Sequence, residues 1–480
     1  MNYLRAEKFL NSFVNYERLT DVPDRSAFKL KRVKNLLSCL GNPQQNLPAI
    51  HVVGSKGKGS TCVFTAQILS AAGFKVGLYT SPHLLDLRER IRIVQPKAFS
   101  LKRSVKDKIP KADFAKLITK IKPAAQRLRQ TELGALTYYE IMTTLAFLYF
   151  KEQKCDFVVL ETGIGGRLDA TNVISALVCA IAPISYEHTQ LLGKSLGKIA
   201  AEKAAIIKDS RQIVISAPQR AAALKVIKSR TKKIKATLFR VGADIQINKR
   251  AFNLQGQCFD LQGIFARYSG LKIRLLGEHQ LVNAAVACGA CESLRYHGVR
   301  IPAQAIKAGL AHARWPGRMQ LAQLAQLAEQ AKPAEQAKPA EQAKPAEQAK
   351  PAEQRPKILL DACHNRASAI ALKRALAKFF KFHKLILVFG ASADKDVSGI
   401  LRTLLPLSEK TILTKSQNPR ALRPELMRCL IKGSDQDITL SDNSQQALKI
   451  AQTSAQAKDL ILVCGSLFLI GEILKPGGNR

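Results

Sequence analysis

Gly54-Ser55-Lys56-Gly57-Lys58-Gly59-Ser60 has the composition of a loop that holds phosphate. Glycine lets successive backbone N–H groups curl inward, and a helix starting there adds the positive end of its dipole. Lys58 would reach the outer phosphates, and the Ser60 hydroxyl would face a phosphate or its Mg2+. The stretch is one residue shorter than G-x-x-x-x-G-K-[ST], with an extra glycine, Gly59, after the lysine. A flexible surface turn is the alternative, and it leaves the apolar run before Gly54 unexplained.

Three other groups of residues could do chemistry. Glu161 closes an apolar run, and a carboxylate at a strand tip beside a phosphate loop is a natural Mg2+ ligand. Thr80-Ser81-Pro82-His83-Leu84 follows the run 75–79, at the strand end where open α/β sheets place their ligands. Lys203 falls on the apolar stripe of a helix expected over 195–207, with Leu196, Ile199, Ala200, Ile206 and Ile207. An unpaired buried ammonium there would tend to lose its proton, whereas a lysine that snorkels or finds a carboxylate would not.

The elements needed to position these groups alternate along the chain. Apolar runs at 50–53, 75–79, 156–161, 176–182 and 212–216, with one near 236, read as strands. Helical stretches at 61–72, 136–150, 195–207 and 218–229 lie between them. A β-rich stretch at 245–276 precedes a helix carrying His279 and Asn283 on one face. Alternation resumes with strands at 357–360, 385–389, 410–414 and 459–463. The fold class is α/β: a large phosphate-loop domain with a mostly parallel sheet, then a smaller Rossmann-like α/β domain. The domains are expected at 1–298 and 299–480. Residues 328–356 repeat Ala-Glu-Gln-Ala-Lys-Pro, which lacks large apolar side chains and reads as an extended insertion.

Composition sets limits. There are 75 basic and 36 acidic residues in 480, a net charge of +39, which favours anionic ligands. The basic cluster at 373–384 alone carries aromatics (Phe379, Phe380 and Phe382), which read as core ahead of a strand rather than as a base-stacking surface. No apolar stretch is long enough to span a membrane, no signal core opens the chain, and the ten cysteines are scattered. A cytoplasmic protein with reduced thiols is expected. Cys288 and Cys291 read as small helix residues rather than a metal or redox pair.

The ordered set of motifs resembles the folylpolyglutamate synthase/dihydrofolate synthase family of the Mur ligase superfamily. It comprises residues 54–60, 79–84, 89–91, 136–140, 161–172, His188, 202–208, 279–287, 315–318, 361–365, 394–396 and 465–466. The resemblance implies an ATP-dependent ligase that joins L-glutamate to dihydropteroate and to reduced folates through an acyl phosphate. Gly57, Lys58, Gly59, Ser60, Asn283, Arg318 and Asp361 match ATP contacts. Ser81 and Glu161 match the ligands of one Mg2+ ion and His188 a ligand of a second. Thr137, Tyr138, Tyr139, Glu140, Leu168, Asp169 and Ala170 match pterin-substrate contacts. Lys58, Glu161, His188 and Lys203 match catalytic positions, and Lys203 matches a lysine carbamylated in the family. The implied partners are small molecules, with no nucleic acid and no membrane, and the implied state is a monomer.

Plainer roles stand beside these. Thr137 is a natural helix cap, Asp361 a turn-former, His188 a loop histidine and Trp315 a core residue. His364 and Asn365 brace a turn in this reading. The chain departs from the family pattern at Ser55-Lys56, at Arg366, and at Phe28-Lys29-Leu30-Lys31-Arg32. A folylpolyglutamate synthase without the dihydropteroate activity is one competing reading. A basic nucleic-acid-dependent ATPase is another; salt-sensitive nucleic-acid binding would mark it. Cell-wall ligases carry a sugar-nucleotide domain ahead of the loop, and the 53 residues before Gly54 are too few for one.

Overall fold

The computed structural model describes residues 1–19, 28–96, 107–322, 356–431 and 436–475. They fall into two compact units, Met1–Trp315 and Pro316–Arg480.

The first unit is built on a seven-stranded sheet. Its strands are β1 (Ala49–Val53), β2 (Val76–Tyr79), β3 (Ile91–Val94), β4 (Phe157–Glu161), β5 (Val178–Ile181), β6 (Ile213–Ser216) and β7 (Thr237–Arg240), in the order β3-β2-β4-β1-β5-β6-β7. Neighbours run parallel except β3, which pairs antiparallel with β2. β1 is buried along its whole length, as a central parallel strand covered on both faces must be.

Its side chains alternate between the two faces of the sheet. Ile50 and Val52 pack with α3 (Lys58–Ala71), α9 (Glu278–Glu292) and α10 (Ala303–His312). Ala49 packs with α1 (Tyr3–Asn11), α2 (Leu30–Cys39), α4 (Lys111–Arg129) and α5 (Tyr138–Glu152). Val53 faces α7 (Leu196–Ala204) and α8 (Ala221–Ile234). The stretch 245–276 forms an antiparallel sheet of β8 (Gln246–Asn253), β9 (Gly256–Gln262) and β10 (Arg267–Ile273). α6 (Thr189–Leu192) is a single short turn.

The first unit does not stop at residue 298. α10 packs on α3 so closely that a Cβ on Gly309 would overlap the Ile68 backbone, and this contact carries the unit on to Trp315. The expected boundary fell on a turn before that helix, a local signal that could not report the packing. Cys288 and Cys291 are buried in α9, as small helix residues.

The second unit has six strands: β11 (Gln320–Ala322), β12 (Lys357–Asp361), β13 (Leu385–Phe389), β14 (Lys410–Thr414), β15 (Asp437–Ser441) and β16 (Leu460–Cys464). The order is β11-β12-β16-β13-β14-β15, parallel except for β11. Phe379 and Phe380 are buried, so they belong to the core. The Ala-Glu-Gln-Ala-Lys-Pro repeats lie outside the described residues, apart from Pro356. Among the described residues no helix is long and apolar enough to cross a membrane.

Candidate active site

The phosphate loop sits where β1 hands over to α3. Gly57 takes the helix N-cap position at φ +82°, and no side chain caps the first turn, so the backbone donors there are left for a ligand. Two glycines are dictated by neighbours. A Cβ on Gly57 would overlap the Asn283 carboxamide from α9, and one on Gly59 would come within 2.9 Å of the Trp315 ring. Asn283 is thereby brought to the loop, steadied by its Nδ2 donating to Gln280 Oε1 at 3.0 Å. Trp315 contacts the loop on one side and carries the Arg92 guanidinium, 5.5 Å from its ring centre, on another.

Lys203 reaches the same loop from α7. Its Nζ donates to the Gly54 carbonyl at 3.0 Å and pairs with Glu187 Oε1 at 2.6 Å, with Lys203 buried and Glu187 partly buried. The sequence left open whether this lysine is unpaired; it has a carboxylate partner. Burial alone would raise the Glu187 pKa, but Lys203, Lys58, His188 and Lys56 together outweigh it and hold the carboxyl well below the usual range. Burial depresses Lys203, and Glu187 opposes that. Lys58, Lys203 and His188 therefore share one electrostatic cluster around Glu187. His188 adopts φ 44°, which turns the chain into α6.

β4 delivers Glu161 beside β1, with Val52 opposite Glu161 and Tyr79 opposite Leu160. Ser81, two residues past Tyr79, donates its backbone N–H to Glu161 Oε2 at 3.1 Å. Glu161 and Ser81 carry hard oxygen donors of the kind that suits Mg2+. Among the described residues no group of three or more His, Cys, Asp and Glu side chains could hold a metal alone. That fits an ion that takes one or two protein ligands and fills its shell with phosphate oxygens and water. The fit at His188 is poorer. An imidazole is a weak Mg2+ ligand, and the adjacent Glu187 is committed to Lys203.

The residues expected to contact the pterin substrate are held by their own hydrogen bonds. Thr137 caps α5 in a reciprocal box with Glu140: Glu140 N donates to Thr137 Oγ1 at 3.2 Å and Thr137 N to Glu140 Oε2 at 2.7 Å. Glu140 Oε1 takes the Arg32 Nε at 3.1 Å in a buried ion pair. Asp169 accepts from Gly163 N and Ile164 N through Oδ2 and from Thr171 N and Oγ1 through Oδ1. Burial raises its pKa and those bonds oppose the rise. Thr171 gives its proton to Asp169, so it can only accept from His51 Nε2, 2.8 Å away. This chain ties the phosphate-loop strand to the 163–171 loop. Thr137, Glu140 and Asp169 thus brace the region, while Tyr138 and Ala170 are buried in the adjoining core and Tyr139 packs against it. Tyr139 packs on Gly163, where a Cβ would come within 2.7 Å of the ring.

In the second unit, Asp361 closes β12 and accepts Met319 N through Oδ2 at 2.9 Å. Arg318 Nη1 donates to the Ala362 carbonyl at 3.3 Å. Burial pushes the Asp361 carboxyl up, and the Arg318 charge pulls against it. Arg318 and Asp361 are therefore neighbours. His364 hydrogen-bonds the Ala362 carbonyl at 2.9 Å and Asn365 caps the next helix through Ser368 N, the turn-bracing roles expected of them.

Comparison with known proteins shows the family. The Mur ligase middle domain profile matches residues 52–291, and the Mur ligase glutamate ligase domain profile matches 347–467. The chain is 31% identical to the dihydrofolate synthase/folylpolyglutamate synthase of Bacillus subtilis, across 93% of this chain and 94% of that one. The chain belongs to the dihydrofolate synthase/folylpolyglutamate synthase family. It is 30% identical to the dihydrofolate synthetase of Saccharomyces cerevisiae, over 93% of this chain and 97% of that protein. The Mycobacterium tuberculosis folylpolyglutamate synthase, solved with ADP and AMPPCP, superposes with a TM-score of 0.82 at 28% identity, covering 98% of this chain and 97% of that one. As a member of this family the chain is an ATP-dependent ligase that forms an amide bond.

Several residues of this family member's site were not singled out from the sequence. Glu187 adjoins His188 with no motif to mark it, and Arg32 lies in the stretch 28–32 that departs from the family pattern. His51 was read as one residue of a buried strand. Each matters through a partner distant in the chain, which no local pattern marks. The polar residue in an all-buried strand was the one available signal, at His51.

Proposed function

We propose that the protein joins L-glutamate to dihydropteroate and to reduced folates at one site, acting as a monomer in the cytoplasm. One observation carries this reading. The uncapped start of α3, the Ser81–Glu161 pair and the Lys203–Glu187 pair converge on the same loop end of one parallel sheet. The acceptor-side segment begins next to them. The ten cysteines are free thiols, which suits a reducing compartment.

The residues divide the work as phosphoryl transfer requires, by positioning and charge neutralisation. Gly57, Gly59 and Ser60 offer backbone donors to the ATP phosphates, and Lys58 neutralises their charge. Asn283 contacts the nucleotide in the first unit, and Arg318 and Asp361 are the second unit's own candidate nucleotide contacts. Glu161 and the Ser81 hydroxyl would hold Mg2+, which supplies Lewis-acid charge to the phosphate oxygens. Residues 137–140 and 168–170 orient the acceptor so that its carboxylate oxygen attacks the γ-phosphorus and ADP leaves. The glutamate amine, as the neutral base, then attacks the acyl carbon, phosphate leaves with the C–O bond pair, and the proton lost from nitrogen passes to the departing phosphate or to water.

Lys203 belongs in this scheme as a carbamate. Its amine would have to leave Glu187, add to CO2 and lose a proton, giving a carboxylate-like group beside His188. That oxygen donor would repair the poor donor set for a second Mg2+ ion. Labelled bicarbonate should give a carbon-13 carbamate signal in wild type that is absent in Lys203→Ala; full activity in that variant with no signal in wild type would refute it.

The test of the function is ADP release with a panel of acceptors plus L-glutamate. Turnover with both dihydropteroate and a reduced folate is expected. Turnover with the reduced folate alone would leave only chain extension, and nucleic-acid-stimulated hydrolysis without an acceptor would refute the ligase reading.

A further inference from the structure

The loop that carries Ser81 is held at Ser81 N by Glu161 and on either side by Glu89 and Arg90. The Arg90 carbonyl accepts Thr80 N at 3.0 Å, on one side of Ser81. On the other side, Arg90 Nε donates to His83 Nδ1 at 2.9 Å, and Glu89 Oε2 accepts Leu84 N at 2.9 Å. Arginine has donors only, so His83 Nδ1 must be an acceptor.

The rest of the Arg90 guanidinium faces the acceptor side. Nη1 and Nη2 make a two-pronged contact with Glu17, at 2.7 and 2.5 Å. The guanidinium carbon lies 5.5 Å from the centre of the Tyr138 ring. Glu17 belongs to the arm after α1, whose Val14 carbonyl accepts Tyr138 N at 3.0 Å. Arg90 itself is 1% exposed, so every group it can bond is already in place around it. One side chain thus joins the proposed Mg2+ arm, the start of α5 and the N-terminal arm.

We infer that Arg90 is a positioning residue that couples acceptor binding to the placement of Ser81. An acceptor seated at the start of α5 acts on the Arg90–Glu17 fork through the buried Tyr138 ring, and the fork fixes the turn that presents the Ser81 hydroxyl. Arg90 touches no reacting atom in this scheme, and the inference rests on the ligase reading above. Lysine cannot replace it, because one ammonium cannot reach His83 and both Glu17 oxygens in a planar fork.

Steady-state kinetics of full-length Arg90→Lys, Glu17→Gln and the double variant test it. Each single variant should raise both the Mg2+ concentration for half-maximal rate and the acceptor KM, by about tenfold, and leave the glutamate KM unchanged. The double variant should be no worse than the more impaired single one, since both break one contact. Glu17 is partly exposed, so Glu17→Gln decides the matter if Arg90→Lys fails to fold. A fall in kcat alone, an unchanged Mg2+ requirement, or fully additive losses would overturn the coupling. Absence of acceptor-dependent ADP release in wild type would instead remove the ligase reading, and this inference with it.

Discussion

Lys203 and Glu187 form an ion pair whose Nζ to Oε1 distance is 2.6 Å, inside the first unit and against the carbonyl that opens the phosphate loop. In protein prepared without bicarbonate, where Lys203 is the free amine, removing Glu187 leaves that amine buried without its carboxylate partner. Glu187→Ala should destabilise the protein by about 3–5 kcal/mol, read from urea unfolding midpoints. Replacing both residues, Lys203→Met with Glu187→Leu, should cost clearly less than Glu187→Ala alone. Equal losses in the two variants would mean the pair is not buried as described.

Lys58→Ala should abolish ATP turnover and leave the melting temperature close to wild type. The residue is half-buried at the start of α3 and acts through charge rather than packing. Near-normal turnover in a folded variant would remove the phosphate-loop assignment.

Gly57→Ala should damage both stability and nucleotide binding. The backbone is at φ +82°, and the new methyl would collide with Asn283. The left-handed backbone alone costs about 1–2 kcal/mol for a residue with a Cβ. Calorimetric titration with ADP should show weaker binding, and adding Asn283→Ala should recover part of the lost stability but not the affinity. Unchanged ADP affinity in Gly57→Ala would contradict the contact.

Stability should fall as the pH drops below 7, and His51 is one cause. Burial, with the Lys208 charge nearby, lowers its pKa from 6.5 to about 3. The unfolded chain therefore binds a proton that the folded protein refuses between these values, so stability is present at neutral pH and lost on acidification. At about 1.4 kcal/mol per pH unit below 6.5, this site removes about 2 kcal/mol between pH 7 and pH 5. Unfolding free energies at the two pH values should show that slope in wild type and a shallower one in His51→Gln.

Much of this site can be read from the chain because its parts sit at strand tips. Alternating apolar runs mark β1, β4, β5, β12 and β13, and the residues that follow each run are necessarily at one end of a parallel sheet. The reading weakened where structure depends on partners. α4 begins at Lys111 in a basic stretch with no apolar start signal, and Pro123 lies inside it. β15 has a polar, half-exposed sequence that gains its strand character by pairing with β14. β3 and β11 are short antiparallel edges in otherwise parallel sheets, a choice made by neighbours. Arg90 finds Glu17 across 73 residues of chain, a distance over which no spacing rule operates.

Ala322 and Ile358 lie opposite each other on β11 and β12, with Gln320 opposite Leu360 further along the same edge. The chain thus leaves the sheet at one point and re-enters beside it. Whatever joins those two points closes a loop whose ends are already side by side, and the entropy of closure rises only slowly with its length. Slippage at a repeated hexapeptide could therefore add or delete copies over generations without moving a single strand. The edge formed by β11 and β12 is a natural insertion port: a place to engineer a reporter or affinity handle, and a reason why variation in repeat number would escape selection for folding.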